Sequence, residues 1–430
     1  MTAAATDHRG RPRVVVTGMG VKTPAGQTVD DMWRTLLEAR PVAGPITLYD
    51  ASAHGVGYAC EVTGFDAVPY VGPKEVRRTD RCALLGLAAA ADALADATGG
   101  AGGGDTAALG ADPLRCAVVG GSGVGGIRTL EDQVIGYAER GPDRVSPFLV
   151  PMMMANATAA LIGIHHGFTG PNLAIATACA TGAHAIGEGA RMVRDGSADV
   201  VVCGGTEASV SPVAMAAFTR MGALSRNPDP ARASRPFDDD RDGFVMGEGA
   251  AFVVLEPYER AVARGAHIHG EVLGYGLTCD AHHITAPLED GAGAVASIEL
   301  ALADAGLEAG EIVHVNAHGT STPHNDAAEA AALAKVFGPH AVPVTSGKGV
   351  TGHLIGAAGA VEAVTALLAA GTGTVPPTAN HERSGLPVDV VAGAPRSVGV
   401  GPALSTSFAF GGHNAALVVG PAPAEPAATA

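Results

Sequence analysis

The chain has 430 residues, of which 47% are hydrophobic and 16% are charged. This composition supplies a large buried core and excludes global disorder. A formal net charge of −16 and an aromatic content of 4% exclude a bulk basic surface and base-stacking platforms for nucleic acid. We therefore expect no nucleic-acid partner.

The six cysteines are spread thinly, and no Cys-x-x-Cys spacing occurs. This pattern argues against a disulfide framework or a zinc cluster and favours reduced thiols in the cytoplasm. The polar segment 1–13 does not read as a signal peptide. Because no uninterrupted apolar run approaches the roughly 18 residues of a membrane helix, we expect no membrane partner.

Short apolar runs, most of them followed by Gly, alternate with Ala-rich helical stretches. The predicted strands are 14–18, 116–120, 200–204, 252–255, 313–316 and 416–419, and the clearest predicted helices are 84–97, 297–305 and 327–336. Such alternation indicates an α/β layered architecture.

The same alternation of strand, glycine and helix recurs in both parts of the chain. It suggests a midpoint near residues 256–264, which divides the chain into 1–255 and 256–430, but the alternation alone does not establish a sequence repeat. The Pro- and Ala-rich tail, 421–430, is expected to be disordered.

Cys179 follows an apolar, strand-like segment and precedes a segment with helical spacing of apolar residues. It is therefore predicted to lie where a buried strand turns into a buried helix. The partial positive charge of a helix N-terminus favours a thiolate, the reactive form of cysteine. A small cysteine used only for packing is the alternative, and this residue alone does not decide between them.

Two histidines stand in similar glycine-rich settings. His318 follows a predicted strand and precedes a run of hydroxyl residues, and His353 lies in the Gly-rich segment 348–359 ahead of an apolar helix. Sites in α/β folds form at the carboxyl ends of strands. Together with Cys179, the two histidines suggest a Cys–His–His site.

These three segments resemble those of the condensing-enzyme family. The family comprises the elongating β-ketoacyl-acyl-carrier-protein synthases and the catalytic ketosynthase subunits of type II polyketide synthases. Further motifs fit in the same order, and the resemblance extends over residues 13–420. These motifs are Arg-Pro-Phe-Asp at 235–238, Arg-Asp-Gly-Phe-Val-Met-Gly-Glu-Gly at 241–249, Asp-Ala-His-His-Ile-Thr at 280–285, Asn-Asp at 325–326 and Phe-Ala-Phe-Gly-Gly-His-Asn at 408–414.

The resemblance implies a thiolase-like fold. Two similar βαβαβαββ halves would pack as a five-layered αβαβα body, which is usually dimeric. The first half, 1–255, would carry the nucleophilic cysteine, and the second, 256–430, the two catalytic histidines. It also implies decarboxylative Claisen condensation: an acyl chain is transferred from a carrier protein to the cysteine, and malonyl-carrier protein extends it by two carbons. The family needs no metal or redox cofactor, because the loss of carbon dioxide drives the condensation. The phosphopantetheine is carried by the acyl carrier protein.

The matching positions receive the family's roles. Cys179 would accept the acyl chain, while His318 and His353 would stabilise the enolate formed on decarboxylation. Lys348 and Glu329 would hold the histidines and set the local charge.

Other matching positions bind or admit the substrate. The backbone N–H groups of Cys179 and Phe410 would form the oxyanion hole, and Phe410 would also gate the site. Thr320 and Thr322 would line the pantetheine and malonyl channel. Val124 would line the acyl tunnel, and Thr285 is assigned to substrate binding.

Partner choice stays open at the level of sequence. Lys74, Arg77 and Arg78 form either an ordinary solvated helix face or a landing patch for an acidic carrier protein. The chain could be a homodimer or pair with a chain-length-factor subunit. A non-catalytic relative of the chain-length-factor type is the alternative function, and the intact Cys179 argues against it.

Two further features complicate the interpretation. Gly-Ser-Gly-Val-Gly-Gly at 121–126 satisfies the G-x-G-x-x-G pattern. We interpret it as a loop at the acyl pocket and dimer interface rather than a dinucleotide site. Gly347, Gly349, Thr406 and Ala409 depart from the family's usual residues. They leave the acyl chain length and the behaviour of the gate open.

Overall fold

The computed structural model describes residues 5–100 and 106–423, so most of the predicted disordered tail lies outside the described residues. In the described part the strands are β1 (Val14–Lys22), β2 (Gly44–Pro45), β3 (Tyr58–Ala59), β4 (Cys116–Gly121), β5 (Asn172–Ile175), β6 (Val200–Glu207), β7 (Gly249–Pro257), β8 (Gly270–Cys279), β9 (His314–Asn316), β10 (Pro343–Thr345), β11 (Thr374–Val375), β12 (Asp389–Val390), β13 (Arg396–Ser397), β14 (Ala403–Ala409) and β15 (His413–Pro421).

The α-helices of the same residues include long core helices and short connecting turns. They are α1 (Val29–Leu37), α2 (Val68–Val76), α3 (Arg81–Ala97), α4 (Thr106–Leu109), α5 (Ile127–Arg140), α6 (Leu149–Met153), α7 (Ala157–His166), α8 (Thr181–Arg194), α9 (Pro212–Met221), α10 (Tyr258–Ala263), α11 (Ala292–Ala305), α12 (Pro323–Phe337), α13 (Lys348–Thr351) and α14 (Ala358–Thr372).

The main sheet repeats one strand order in its two halves. Eleven strands run in the order β12-β10-β9-β14-β15-β8-β1-β7-β6-β4-β5. Starting from β1 or from β8, the next two strands are the last two of that half and pair antiparallel. Strands in parallel then follow, two in the first half and three in the second. The short β1–β8 ladder joins the halves, so the chain is built from two similar units.

Helices cover and separate these two units in five layers. On the outside, α3 and α7 pack on the first half and α11 packs on the second. Between the halves, α8 packs on β4, β6 and β7, while α14 packs on β9, β14 and β15. The αβαβα layering predicted from the sequence is confirmed.

Small residues let the outer helices approach the sheet closely, in the same way in both halves. A Cβ on Gly20 of β1 would lie 2.0 Å from the Ala89 carbonyl oxygen of α3. A Cβ on Gly276 of β8 would lie 2.0 Å from the Ser297 carbonyl oxygen of α11. The pattern Gly-x-Gly thus marks the first strand of each half.

The central helices α8 and α14 also touch through glycine. A Cβ on Gly182 would lie 2.6 Å from the Ala360 nitrogen, and one on Gly359 would lie 2.7 Å from the Ala183 nitrogen. These contacts are reciprocal and lie in the first turn of each helix. They bring the segments that precede the two helices together.

Most predicted strands and helices are present with extended ends, but one prediction is wrong. The strand before Cys179, β5, is the exposed terminal strand of the sheet rather than a buried one. The predicted boundary at 255/256 falls near the end of β7 and stays a prediction. One described stretch, Ile355–Thr372, is apolar and long enough to span a membrane, and 83% of it is buried inside the protein.

The contact between α8 and α14 predicts a sharp stability difference. Gly182→Ala should lower the free energy of unfolding by roughly 1–3 kcal/mol, because the added methyl group meets backbone of α14. Gly310→Ala is the matched control, since nothing lies within 4 Å of its Cβ. Equal unfolding midpoints for both variants in urea would contradict the close approach.

Candidate active site

Cys179 lies at the point where the chain enters the central helix layer. It belongs to a short helical turn directly before α8, and only 7% of it is exposed. Ala178 before it adopts φ +48°, a conformation that costs energy for a residue with a side chain. The turn therefore holds the thiol at the N-terminus of α8, as the sequence predicts.

His353 approaches this thiol from the second half of the chain. Its Nε2 lies 3.1 Å from the Cys179 Sγ. Gly352 before it has φ +67°, and a Cβ there would meet the Val245 carbonyl oxygen at 2.8 Å, so the turn requires glycine. The Phe244 ring packs edge-on against the imidazole and limits its rotation.

His318 completes the cluster from the end of β9. Its ring lies edge-on to the ring of His353, with 5.3 Å between centroids. Its backbone N–H donates to the Glu329 carboxylate at 2.8 Å and to the Thr406 hydroxyl at 3.2 Å. Glu329 also accepts the Gly319 N–H, so this buried carboxylate fixes the backbone on which His318 stands.

Donors on the far side of each ring determine the tautomers. The Ile355 N–H donates to the His353 Nδ1 at 3.3 Å, and the Lys348 ammonium lies 3.3 Å from the His318 Nδ1. An ammonium has no acceptor, so each Nδ1 accepts and each Nε2 carries the proton. Burial and the charge of Lys348 lower the pKa of both histidines well below the usual value. Both rings are therefore neutral N–H donors at neutral pH.

The pKa of the Cys179 thiol differs from the expectation drawn from the sequence. Burial raises the pKa of Cys179 to about 12, while the charge of Lys348 and the backbone N–H of Phe410 lower it in part. The prediction of a favoured thiolate considered only the helix N-terminus and left out this desolvation. The free protein therefore holds mainly the thiol.

Lys348 is buried, and sequence reasoning missed its counter-charge. Its ammonium donates to the Glu362 carboxylate and to the His318 carbonyl oxygen, the latter at 2.6 Å. Both side chains of the ion pair are almost fully buried. Burial raises the pKa of Glu362 to about 7. The signal was available, because a lone carboxylate in an apolar helix needs a buried partner.

A cavity of about 520 Å³ opens onto the three side chains. Its lining includes every predicted substrate residue, namely Val124, Thr285, Thr320, Thr322 and Phe410. The hydroxyl oxygens of Thr320 and Thr322 lie 2.9 Å apart. Phe410 forms the tip of the turn between β14 and β15, where Gly411 has φ +83°.

The predicted docking residues lie elsewhere, on the surface around the end of α2. Lys74, Arg77 and Arg78 are all exposed. The Arg78 guanidinium stacks over the Phe148 ring at 4.7 Å from its centroid. These side chains do not line the cavity, so their role stays a prediction.

The distances alone would also suit a metal ion. One ligand atom each from Cys179, His318 and His353 lies within 4.8 Å of the others. A histidine that binds metal through Nε2 donates its Nδ1–H to an acceptor, whereas here both Nδ1 atoms face donors. This arrangement supports the prediction that the cluster is not a metal centre.

Comparison with known proteins agrees with this geometry. Residues 11–261 match the model of the "Beta-ketoacyl synthase, N-terminal domain", and residues 269–382 match that of the "Beta-ketoacyl synthase, C-terminal domain". A 3-oxoacyl-[acyl-carrier-protein] synthase 2 from Synechocystis sp. is 47% identical over 415 residues, which cover 95% of this chain and 97% of that protein.

Solved structures show the same fold. The ishigamide ketosynthase/chain length factor aligns with a TM-score of 0.88 and 36% identity, covering 96% of this chain and 100% of that chain. A type II PKS acyl-carrier protein in complex with its ketosynthase, bound to the hexaketide, aligns at 0.86 and 27% with the same coverage. The chain therefore belongs to the β-ketoacyl synthase family of condensing acyltransferases, as its motifs predict.

Proposed function

We propose that this protein elongates acyl chains carried by an acyl carrier protein, with Cys179 as the acyl acceptor. The observation that supports this most is the convergence of one buried thiol and two neutral imidazole N–H groups on a single cavity. A chain-length-factor-like role has no use for such a thiol. We therefore favour the catalytic function.

Acyl transfer begins with the Cys179 sulfur attacking the thioester carbonyl. The Phe410 N–H already points at this sulfur, and with the Cys179 N–H it would bind the oxyanion. The thiol proton leaves with the departing pantetheine sulfur. The acyl chain then occupies the cavity beside Val124.

Decarboxylation of the malonyl group follows on the same cavity. His318 and His353 would donate their Nε2–H groups to the thioester oxygen as it becomes an enolate oxygen. The malonyl carboxylate leaves as carbon dioxide, and the enolate carbon attacks the acyl thioester. The Cys179 thiolate that leaves then takes up one proton from solvent. The pantetheine arm of the carrier would pass Thr320 and Thr322, so the enzyme itself brings no cofactor in this scheme.

A second chain is part of this proposal. β5 ends the sheet with an exposed edge, and an unpaired edge is a template for another strand. Large apolar side chains are exposed on β5 and on α5 and α6, which are in contact. They are Leu173 on β5, Leu130, Val134, Ile135 and Tyr137 on α5, Val150 on α6, and Met154 directly after α6. A second copy or a chain-length-factor subunit would cover this face.

Lys74, Arg77 and Arg78 would receive the acidic carrier protein. The relative with the same fold was solved with a type II PKS acyl-carrier protein, which supports a carrier as partner.

We also propose a cytoplasmic location, which agrees with six free cysteines.

Loading at Cys179 tests the proposed function directly. Incubation with a panel of acyl-carrier-protein thioesters should add one acyl mass to the intact protein, and malonyl-carrier protein should then release a product two carbons longer. Cys179→Ala should abolish the adduct, while Cys279→Ala, which removes an exposed thiol, should retain it. No adduct on folded protein, alone or with a partner subunit, would overturn the proposal.

The Lys348–Glu362 pair predicts a stability effect together with a catalytic one. Glu362→Gln should cost roughly 3–5 kcal/mol of unfolding free energy, since it leaves a buried ammonium without its counter-charge. Malonyl decarboxylation should also fall, because Lys348 would no longer be held beside His318. Glu382→Gln breaks an exposed ion pair with Arg232 and should cost under about 1 kcal/mol. Similar losses in the two variants would contradict this account.

The basic cluster predicts a change in carrier affinity alone. Charge reversal of Lys74, Arg77 and Arg78 to Glu should raise the KM for carrier protein roughly tenfold at low salt and leave kcat unchanged. Arg34→Glu is the control, because this exposed side chain lies on α1. An unchanged KM would identify the cluster as an ordinary solvated surface.

A further inference from the structure

The glycine-rich loop at 121–126 uses its own backbone donors. The Val124 and Gly125 N–H groups donate to the Ser122 hydroxyl at 3.4 and 2.8 Å, and the Gly126 N–H donates to the Met153 carbonyl oxygen at 3.2 Å. The Gly123 N–H donates to a carboxylate oxygen of Glu207 at 2.8 Å. Donors that would bind a phosphate in a dinucleotide-binding loop are thus occupied.

Glu207 is the group at the centre of this arrangement. It ends β6 and is fully buried. One carboxylate oxygen accepts the hydroxyls of Ser122 at 3.0 Å and Ser209 at 3.1 Å. The other accepts the N–H groups of Gly123 at 2.8 Å and Gly356 at 3.2 Å. Four neutral donors therefore surround a buried acidic group, whose pKa burial raises to about 7.

The two backbone donors come from different halves of the chain. Gly123 and Val124 line the cavity, and Gly356 follows the turn that carries His353. The loop also packs tightly on this turn, because a Cβ on Gly123 would lie 3.0 Å from Ile355 Cγ2 and 3.7 Å from the Cα of Ala178. A shift of the carboxylate would therefore move the cavity wall relative to the thiol.

We propose that Glu207 is a positioning residue that, with Ser122, holds the 121–126 loop as the wall of the cavity beside Cys179 and ties it to the turn after His353. This inference rests on the proposed function only where it assigns the acyl chain to the cavity. Its consequence is that Glu207 and Ser122 determine which chain lengths reach the thiol.

The test compares how three variants alter the access of a short and a long reagent to Cys179 through the cavity. Ser122→Ala and Ser209→Ala each remove one hydroxyl donor to Glu207. Only the Ser122 hydroxyl also accepts a backbone N–H group of the 121–126 loop. Glu207→Gln keeps one carbonyl oxygen and adds an amide donor that faces other donors. Each variant is made in the Cys279→Ala background. It is treated either with iodoacetamide or with the long-chain reagent N-dodecyl iodoacetamide, and the rate of Cys179 alkylation is measured by peptide mass spectrometry.

The measured quantity is the ratio of the two alkylation rates. Ser122→Ala and Glu207→Gln should change it about fivefold, which corresponds to one net hydrogen bond, whereas Ser209→Ala should stay within about twofold. A merely structural role would slow both reagents equally and leave the ratio unchanged, which would overturn the inference. If either single variant unfolds, the other provides the same comparison against Ser209→Ala.

Alkylation does not require carrier protein, so the two proposals can fail separately. A changed ratio without any enzymatic loading of Cys179 would support the positioning role and refute the proposed function. Enzymatic loading of Cys179 from acyl-carrier protein, together with an unchanged ratio of alkylation rates, would support the proposed function and refute the positioning role. With acyl-carrier thioesters of a short and a long chain, the ratio of the two loading rates should rank the variants in the same order as the ratio of the two alkylation rates.

Discussion

The site depends on the close approach of two helix N-termini in the central layer. Gly182 and Gly359 let α8 and α14 touch backbone to backbone. Since Cys179 precedes one helix and His353 precedes the other, this contact brings the thiol and the imidazole within 3.1 Å. A larger side chain at either glycine would move the Cys179 thiol and the His353 imidazole apart, since they come from different halves of the sequence.

Buried charge is the second constraint. Three carboxylates, Glu207, Glu329 and Glu362, lie in the interior around the cluster, and burial raises the pKa of each to about 7. Two of them accept backbone N–H groups of the site loops, and the third holds Lys348. Isolated charges would be costly there, so each carboxylate has donors, two of them from the backbone of the site loops and the third from the Lys348 ammonium.

The sequence predicts the fold class, the two halves and the three converging side chains through motifs whose residues and order resemble those of a known family. Its strand-end glycines and apolar runs alone predict only an α/β architecture. It places Cys179 correctly but misjudges its surroundings: β5 is an exposed edge, and the pKa of the thiol rises with burial. Burial depends on packing across the halves, which spacing along the chain does not encode. Glu362 and Glu207 escaped notice, although each is a single carboxylate at or within an otherwise apolar element, which is itself a signal.

The central claim is that the site presents two neutral imidazole N–H donors to the thiol and its substrate. Nitrogen NMR of ¹⁵N-histidine-labelled protein tests it most directly, with His318 and His353 assigned from their alanine variants. We predict that both rings are neutral at pH 7 with the proton on Nε2. A proton on Nδ1, or an imidazolium at either position, would contradict it.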